Sequence, residues 1–223
     1  FTAATGLFEP GGGLDTALVQ DRSVTFTPID LTGWRILENS FKPYAACHLT
    51  HPAVDAARGL AHRIEPREIA SVRAEIGALA QQITGGKSGE PATSLEGKFD
   101  LNYCIALGLH GRAVSAADFR EPWHPDPAVC ATARMVKSIA SPEMGFASAR
   151  LTVAFGDGRR EAIHVPVAKG HPGNSMNWDD MHAKFHALIA PHLGSRTDAL
   201  FALVRKFGRG DVLGEIRAIL ATL

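Results

Sequence analysis

Residues 41–63 read FKPYAACHLTHPAVDAARGLAHR, and how this stretch is interpreted decides how the rest of the chain is understood. Between Lys42 and His51 it gathers a lysine, a tyrosine, a cysteine and two histidines. A helix start follows at once. Thr50 is placed to cap it, and Pro52 suits a first turn because the N–H it lacks would be unbonded there anyway. Val54, Ala57 and Ala61 recur at helical spacing, which predicts a helix over 51–63. Upstream, Trp34 to Phe41 (WRILENSF) reads as a short strand leading into the cluster. The polar residues then fall on a strand-to-helix turn. Outward-facing backbone N–H groups and the positive end of the helix dipole favour a carboxylate or other small anion there.

Working outward, the clearest strand signal is 148–168. Leu151, Val153 and Phe155 alternate, Asp157-Gly158 turns, and Ile163, Val165 and Val167 alternate back, which predicts an antiparallel hairpin. Ile69 to Leu79 alternates with Val72, Ala74 and Ile76 on one face, as in a strand. Residues 83–93, rich in glycine and carrying Pro91, read as a loop. A helix is expected from about Asp100, its cap, to Gly111, a left-handed stop. Another is expected from Pro127 to about Lys137, after a turn-rich connection over 117–127. Asn177 with Asp180 reads as a capping box opening a helix near Trp178, and two amphipathic helices, about 197–207 and 211–222, close the chain. The long apolar runs of a doubly wound sheet are absent. The pattern predicts an α+β fold: a small mixed domain with an antiparallel hairpin and flanking helices, followed by C-terminal helices.

At 223 residues the chain suits one large domain or two small ones. Lys+Arg and Asp+Glu both number 23, so no global field favours nucleic acid or an anionic membrane. No basic stripe interleaved with aromatics is present. No apolar run approaches the ~20 residues that span a bilayer, and no signal peptide is evident. Cys47, Cys104 and Cys130 are odd in number and widely spaced, which argues against a disulfide framework and for a reducing cytoplasm. Gly11-Gly12-Gly13 reads as a flexible turn, since the Lys-Ser/Thr of a phosphate loop does not follow. The chain opens with Phe1 in mid-theme, which is read as the start of a fragment or of a processed chain.

Lys42 reads either as a solvated surface lysine or as a partly desolvated one that pairs with a substrate carboxylate or serves as a base. His48 and His51 straddle the helix start, and histidine is the usual proton carrier near neutral pH. Tyr103 reads as a core-edge aromatic or as a phenol donating to a substrate oxygen or developing enolate. Asp100 and Asn102 are read as a cap and as support for that helix. His171 is read as a loop residue outside the site. Cys47, His48 and His51 have metal-ligand types, but no fourth ligand sits at a diagnostic spacing, so no metal and no cofactor is expected. A cysteine–histidine nucleophile pair lacks an orienting Asn or Asp.

Lys42-Pro43-Tyr44, Cys47, Thr50-His51 and the Ala-Val-Asp-Ala of 53–56 together resemble the lysine-motif segment of the MmgE/PrpD family. That family contains 2-methylcitrate dehydratases, cis-aconitate decarboxylases and iminodisuccinate epimerases. Tyr103, opening a small-residue helix, resembles its second signature. Gly170 and Pro172, followed by Lys184-Phe185, resemble its Gly-x-Pro loop and Lys-Phe pair. Two departures stand out. Cys47 occupies a place where the family's decarboxylases carry histidine, and Ala45 one where many members carry proline.

The resemblance covers nearly the whole chain and matches roughly the C-terminal half of longer members. It implies that 1–32 leaves an absent N-terminal helical domain, that 33–176 is the small α+β domain, and that 177–223 returns to the helical half. The implied activity is that of a metal-independent acid–base lyase acting alpha to a carboxylate of a small di- or tricarboxylate. The alternatives are an epimerase of a small dicarboxylate or a non-catalytic dimerisation or binding domain. Lys42, His51, Tyr103 and His48 are the implied catalytic residues, with Lys42, Cys47 and Tyr44 binding substrate. A homodimer is implied, with the helical half as a partner in the same protein.

Overall fold

A computed structural model describes residues 33–221, so the expected exit segment 1–32 and its glycine turn lie outside the described residues. The chain divides into two compact units, 1–38 and 39–223. In the first, the described structure is a 3-10 turn over Arg35–Glu38. The strand expected over 34–41 is therefore not formed. The second unit is α+β, as expected. It is built on a four-stranded sheet of β1 (Ile69–Ile76), β2 (Val136–Ala140), β3 (Ala149–Phe155) and β4 (Arg160–Val165), ordered β2-β1-β3-β4.

The predicted hairpin is β3–β4, antiparallel with Ala149 opposite Val165 and Leu151 opposite Ile163. It turns at Gly158, where φ is +89°. β1 pairs antiparallel with β3 and parallel with β2, Val72 lying opposite Val136. β2 begins where the sequence pattern predicts the end of a helix. Instead α5 (Pro127–Arg134), capped by Asp126, ends two residues before it. On its inner face β1 presents Val72, Ala74 and Ile76, all buried, as the alternation predicts. It stops at Ile76. Residues expected to extend it, and the start of the expected 83–93 loop, belong to a short helix α2 (Ala78–Thr84).

Helix α1 (His51–Leu60) continues as a 3-10 turn to Arg63, matching the predicted 51–63. It covers the sheet with Ala53, Ala56, Ala57 and Leu60, all fully buried. Helix α3 (Ser94–Phe99) leads into α4 (Leu101–Leu109), whose residues are all buried. A helix apolar on every side belongs inside a domain, and α4 separates two cores. Leu101, Ile105 and Leu109 join α1 and the sheet, while Tyr103, Ala106 and Leu107 join Tyr44, Val114, Phe119 and Val129. Asp100 caps α4 by accepting from Tyr103 N–H at 3.0 Å, and the helix stops at Gly111, where φ is +69°. Gly108 lets α4 approach α1, because a Cβ there would lie 2.7 Å from that of Ala57.

The chain ends in α6 (Trp178–Leu193), α7 (Thr197–Arg205) and α8 (Leu213–Leu220). The predicted Asn177–Asp180 capping box opens α6, each side chain accepting from the other residue's N–H at 2.8 Å. No helix among the described residues is long and apolar enough to cross a membrane.

Candidate functional site

The lysine segment has no regular structure of its own and is pinned residue by residue to other elements. Phe41 N–H donates to Gly170 C=O at 2.8 Å, Ala45 N–H to Val114 C=O at 2.9 Å, and Cys47 N–H to Lys98 C=O at 2.8 Å. The Lys184 ammonium donates to the carbonyl of Lys42. Gly170 has φ +87°, and a Cβ there would stand 2.0 Å from the Phe41 carbonyl oxygen. The 169–174 loop and the lysine segment therefore meet backbone to backbone, which only glycine permits.

Asp55 ties the same pieces together from within α1. One carboxylate oxygen accepts from the Tyr44 hydroxyl, the other from Lys169 N–H at 2.7 Å. Burial pushes its carboxyl up, and these donors pull it back. Burial, then the Asp55 charge, pushes the Tyr44 phenol well above its ordinary value. Tyr44 thus acts as a strut beneath the segment. Lys169 extends the network through its ammonium, 2.6 Å from Asp180.

His48 is half-buried, its ring centroid 4.9 Å from that of His51 and 5.5 Å from that of Phe146. His51 is fully buried. Its Nε2 lies 3.4 Å from Ala46 C=O, and its Nδ1 has no partner among the described residues. Burial first, then His48, lowers the His51 imidazole to about 3, with Lys42 and Lys184 adding in the same direction. Burial, Lys42 and His171 lower His48. Lys42 and His171 therefore act on His48, and His48, Lys42 and Lys184 act on His51. Lys42 itself is exposed at this cluster.

The structure brings Lys42, His48 and His51 together and adds His171 and Lys184 from distant sequence. It does not bring Tyr103 to them. Tyr103 is only 2% exposed, edge-on to Phe119 and Trp123, and its hydroxyl meets the Asp126 backbone. Burial pushes its phenol up to about 12. Its ring lies in the second core, which Val54 of α1 also joins. Cys47 is half-buried, its N–H bonded to Lys98 C=O and its side chain packed against the first core.

The open anion niche expected at the helix start is also absent among the described residues. A 3-10 turn over His48–Thr50 precedes α1, so Thr50 and His51 N–H donate to Cys47 and His48 carbonyls. Thr50 sits at the cap position, but its hydroxyl donates to Cys47 C=O at 2.8 Å instead of capping. The positive charge beside His51 is carried by the Lys42 and Lys184 side chains. Among the described residues no group of three or more His, Cys, Asp or Glu is arranged to hold a metal ion.

Sequence reasoning does not find His171 and Lys184 as site members. Their only local signal is the Gly-x-Pro loop and the Lys-Phe pair, because tertiary contact alone places them beside His48 and Lys42. No curated protein matches the chain. Over residues 44–207, most of its length, the sequence matches the family model of the MmgE/PrpD C-terminal domain. That span begins two residues after Lys42 and takes in the Asp55 network, the Gly170 loop and Lys184, and the chain belongs to the MmgE/PrpD family.

Proposed function

We propose that this chain supplies the carboxylate-binding and proton-accepting part of a metal-independent acid–base lyase acting on a small di- or tricarboxylate. The observation that carries the reading is the stacking of His48 on His51 at 4.9 Å, with Lys42 acting on both rings and Lys184 held on the Lys42 carbonyl. An excess of cationic and imidazole groups at one place attracts a multiply charged organic acid. The family includes dehydratases, which fits this chemistry.

In this reading the exposed Lys42 holds a substrate carboxylate. His48, depressed first by burial and then by Lys42 and His171, stays neutral near pH 7 and takes the proton alpha to that carboxylate. Buried, neutral His51 packs behind it and fixes its ring. Lys184 holds the Lys42 backbone in place through the carbonyl it donates to. Tyr103, turned into the core, supports α4 instead of donating to substrate. The acid that protonates the departing hydroxyl then comes from an N-terminal helical half, in a cytoplasmic homodimer.

The test is an NMR screen of the complete protein in D2O against 2-methylcitrate, citrate, cis-aconitate and iminodisuccinate. The expected result is loss of water or its addition across a double bond, abolished by Lys42→Ala and His48→Gln with the fold intact. Deuterium exchange at the alpha carbon with inversion and no loss of water would identify an epimerase. Unchanged turnover in Lys42→Ala would remove Lys42 from the site. The 223-residue chain alone is expected to be inactive, and turnover by it would contradict the division of labour proposed here.

A further inference from the structure

Two groups act on His48 from outside its own turn, Lys42 from the lysine segment and His171 from the 169–174 loop. One carboxylate ties both of those pieces of chain. Tyr44, two residues after Lys42, donates its hydroxyl to one oxygen of Asp55. Lys169, two residues before His171, donates its N–H to the other at 2.7 Å. On its other side Lys42 follows Phe41, whose N–H donates to Gly170 C=O at 2.8 Å. Lys42 and His171 are thus bracketed by a backbone bond and by the two bonds to Asp55. The His171 ring is oriented too, its Nδ1 accepting from Gly173 N–H at 3.1 Å. Arg58 steadies the Tyr44 end, one guanidinium nitrogen 3.4 Å from the hydroxyl and its carbon 5.5 Å from the ring centroid. His51 and Asp55 stand four residues apart on α1 and share a face of it, so one helix presents both the ring behind His48 and the carboxylate that ties its neighbours.

We propose that Asp55 is a positioning residue: from α1 it fixes the lysine segment against the 169–174 loop, and with them Lys42 and His171 beside His48. Its consequence for turnover rests on the lyase reading, while its consequence for the His48 ring does not. Around His48 stand Lys42, His171 and His51, and Phe146 adds a ring without charge. The sign of the effect separates positioning from plain electrostatics. Deleting a carboxylate favours the neutral form of any imidazole it reaches, so Asp55→Asn by charge alone lowers the pH at which His48 takes up a proton. Releasing Lys42 and His171 removes two groups that oppose that proton, and raises it.

The test is a pH titration of the complete protein labelled at histidine Cε1, with the His48 signal assigned by its loss in His48→Gln. Asp55→Asn should raise the His48 midpoint. So should Tyr44→Phe, which leaves the carboxylate charge in place, and the double variant should move it no further than Asp55→Asn alone. Gly111→Ala, strained by a φ of +69° at the far end of α4, should leave the midpoint where it is and so controls for loosening in general. In turnover, Asp55→Asn should lower kcat/KM about 10- to 100-fold and displace the acid limb of its pH profile upward. An unmoved or lowered midpoint in folded Asp55→Asn, or additive shifts in the double variant, would overturn the proposal. Should Asp55→Asn fail to fold, an unmoved midpoint in Tyr44→Phe would overturn it instead. A raised midpoint with turnover absent from the wild type, or unchanged in the variant, would refute the lyase reading and leave the positioning role standing.

Discussion

Replacing Gly170 by alanine tests how the lysine segment is held. Its φ of +87° is a conformation that costs an L-residue about 1–2 kcal/mol. The added Cβ would also stand 2.0 Å from the carbonyl oxygen of Phe41, a backbone atom that no side-chain rotation can move aside. Relief requires the two backbones to part, which sacrifices the 2.8 Å Phe41–Gly170 hydrogen bond, worth about 1 kcal/mol. The expected loss is therefore about 2–3 kcal/mol. Gly111 isolates the first contribution, since its φ is +69° and nothing lies within 4 Å of where an alanine methyl would stand. Urea unfolding of both variants should place Gly170→Ala below Gly111→Ala by about 1 kcal/mol or more. Amide exchange at Phe41 should accelerate in the first variant alone. Equal stability of the two, with Phe41 still protected, would refute the claim that the loop and the lysine segment are in backbone contact.

Three further outcomes are expected. His51 is lowered to about 3 in the fold against about 6.5 unfolded, so the unfolded chain binds a proton that the folded one refuses as pH falls below 6.5. Stability should drop by about 1–2 kcal/mol between pH 6.5 and 5, and His51→Gln should flatten most of that slope in pH-dependent urea melts. The raised carboxyls of Asp55 and Asp100 act in the opposite sense nearer the ordinary carboxylate range, which is why the window stops at 5. Asp55→Asn keeps one acceptor where two are needed, and should cost about 1.5–3 kcal/mol with faster exchange at Lys169 N–H. Gly108→Ala should cost about 1–3 kcal/mol by overpacking α4 on α1, and Ala57→Gly should recover part of it in a double-mutant cycle.

What is legible in the sequence is local. The Asp100 cap, the Gly111 stop, the Asn177–Asp180 box and the 149–165 hairpin each arise from residues within a few positions of one another, and each forms as expected. Strand β2 is hidden because five residues paired in parallel with a distant strand leave no alternation of their own. Residues 34–41 look like a strand from composition, but a 3-10 turn forms at Arg35–Glu38. At the candidate site the clustering of Lys42, His48 and His51 is visible because it lies within a few residues along the chain. His171 and Lys184 join only through the close approach at Gly170 and the donation to the Lys42 carbonyl. For Tyr103, spacing gives the helix but not the direction of the ring, which packing against Phe119 and Trp123 decides.

Strand β1 sits inside the sheet, yet both of its neighbours are encoded far downstream, at Val136–Ala140 and Ala149–Phe155. On a ribosome the chain emerges from the N-terminal side, so β1 waits with both edges unsatisfied while the intervening helices are made. Asn102, on α4, donates to Lys87 C=O at 3.0 Å and to Val136 C=O at 3.2 Å, and so fastens that intervening segment to the strand that eventually relieves β1. Truncation before residue 155 should leave a nascent polypeptide prone to edge-to-edge association and dependent on chaperones.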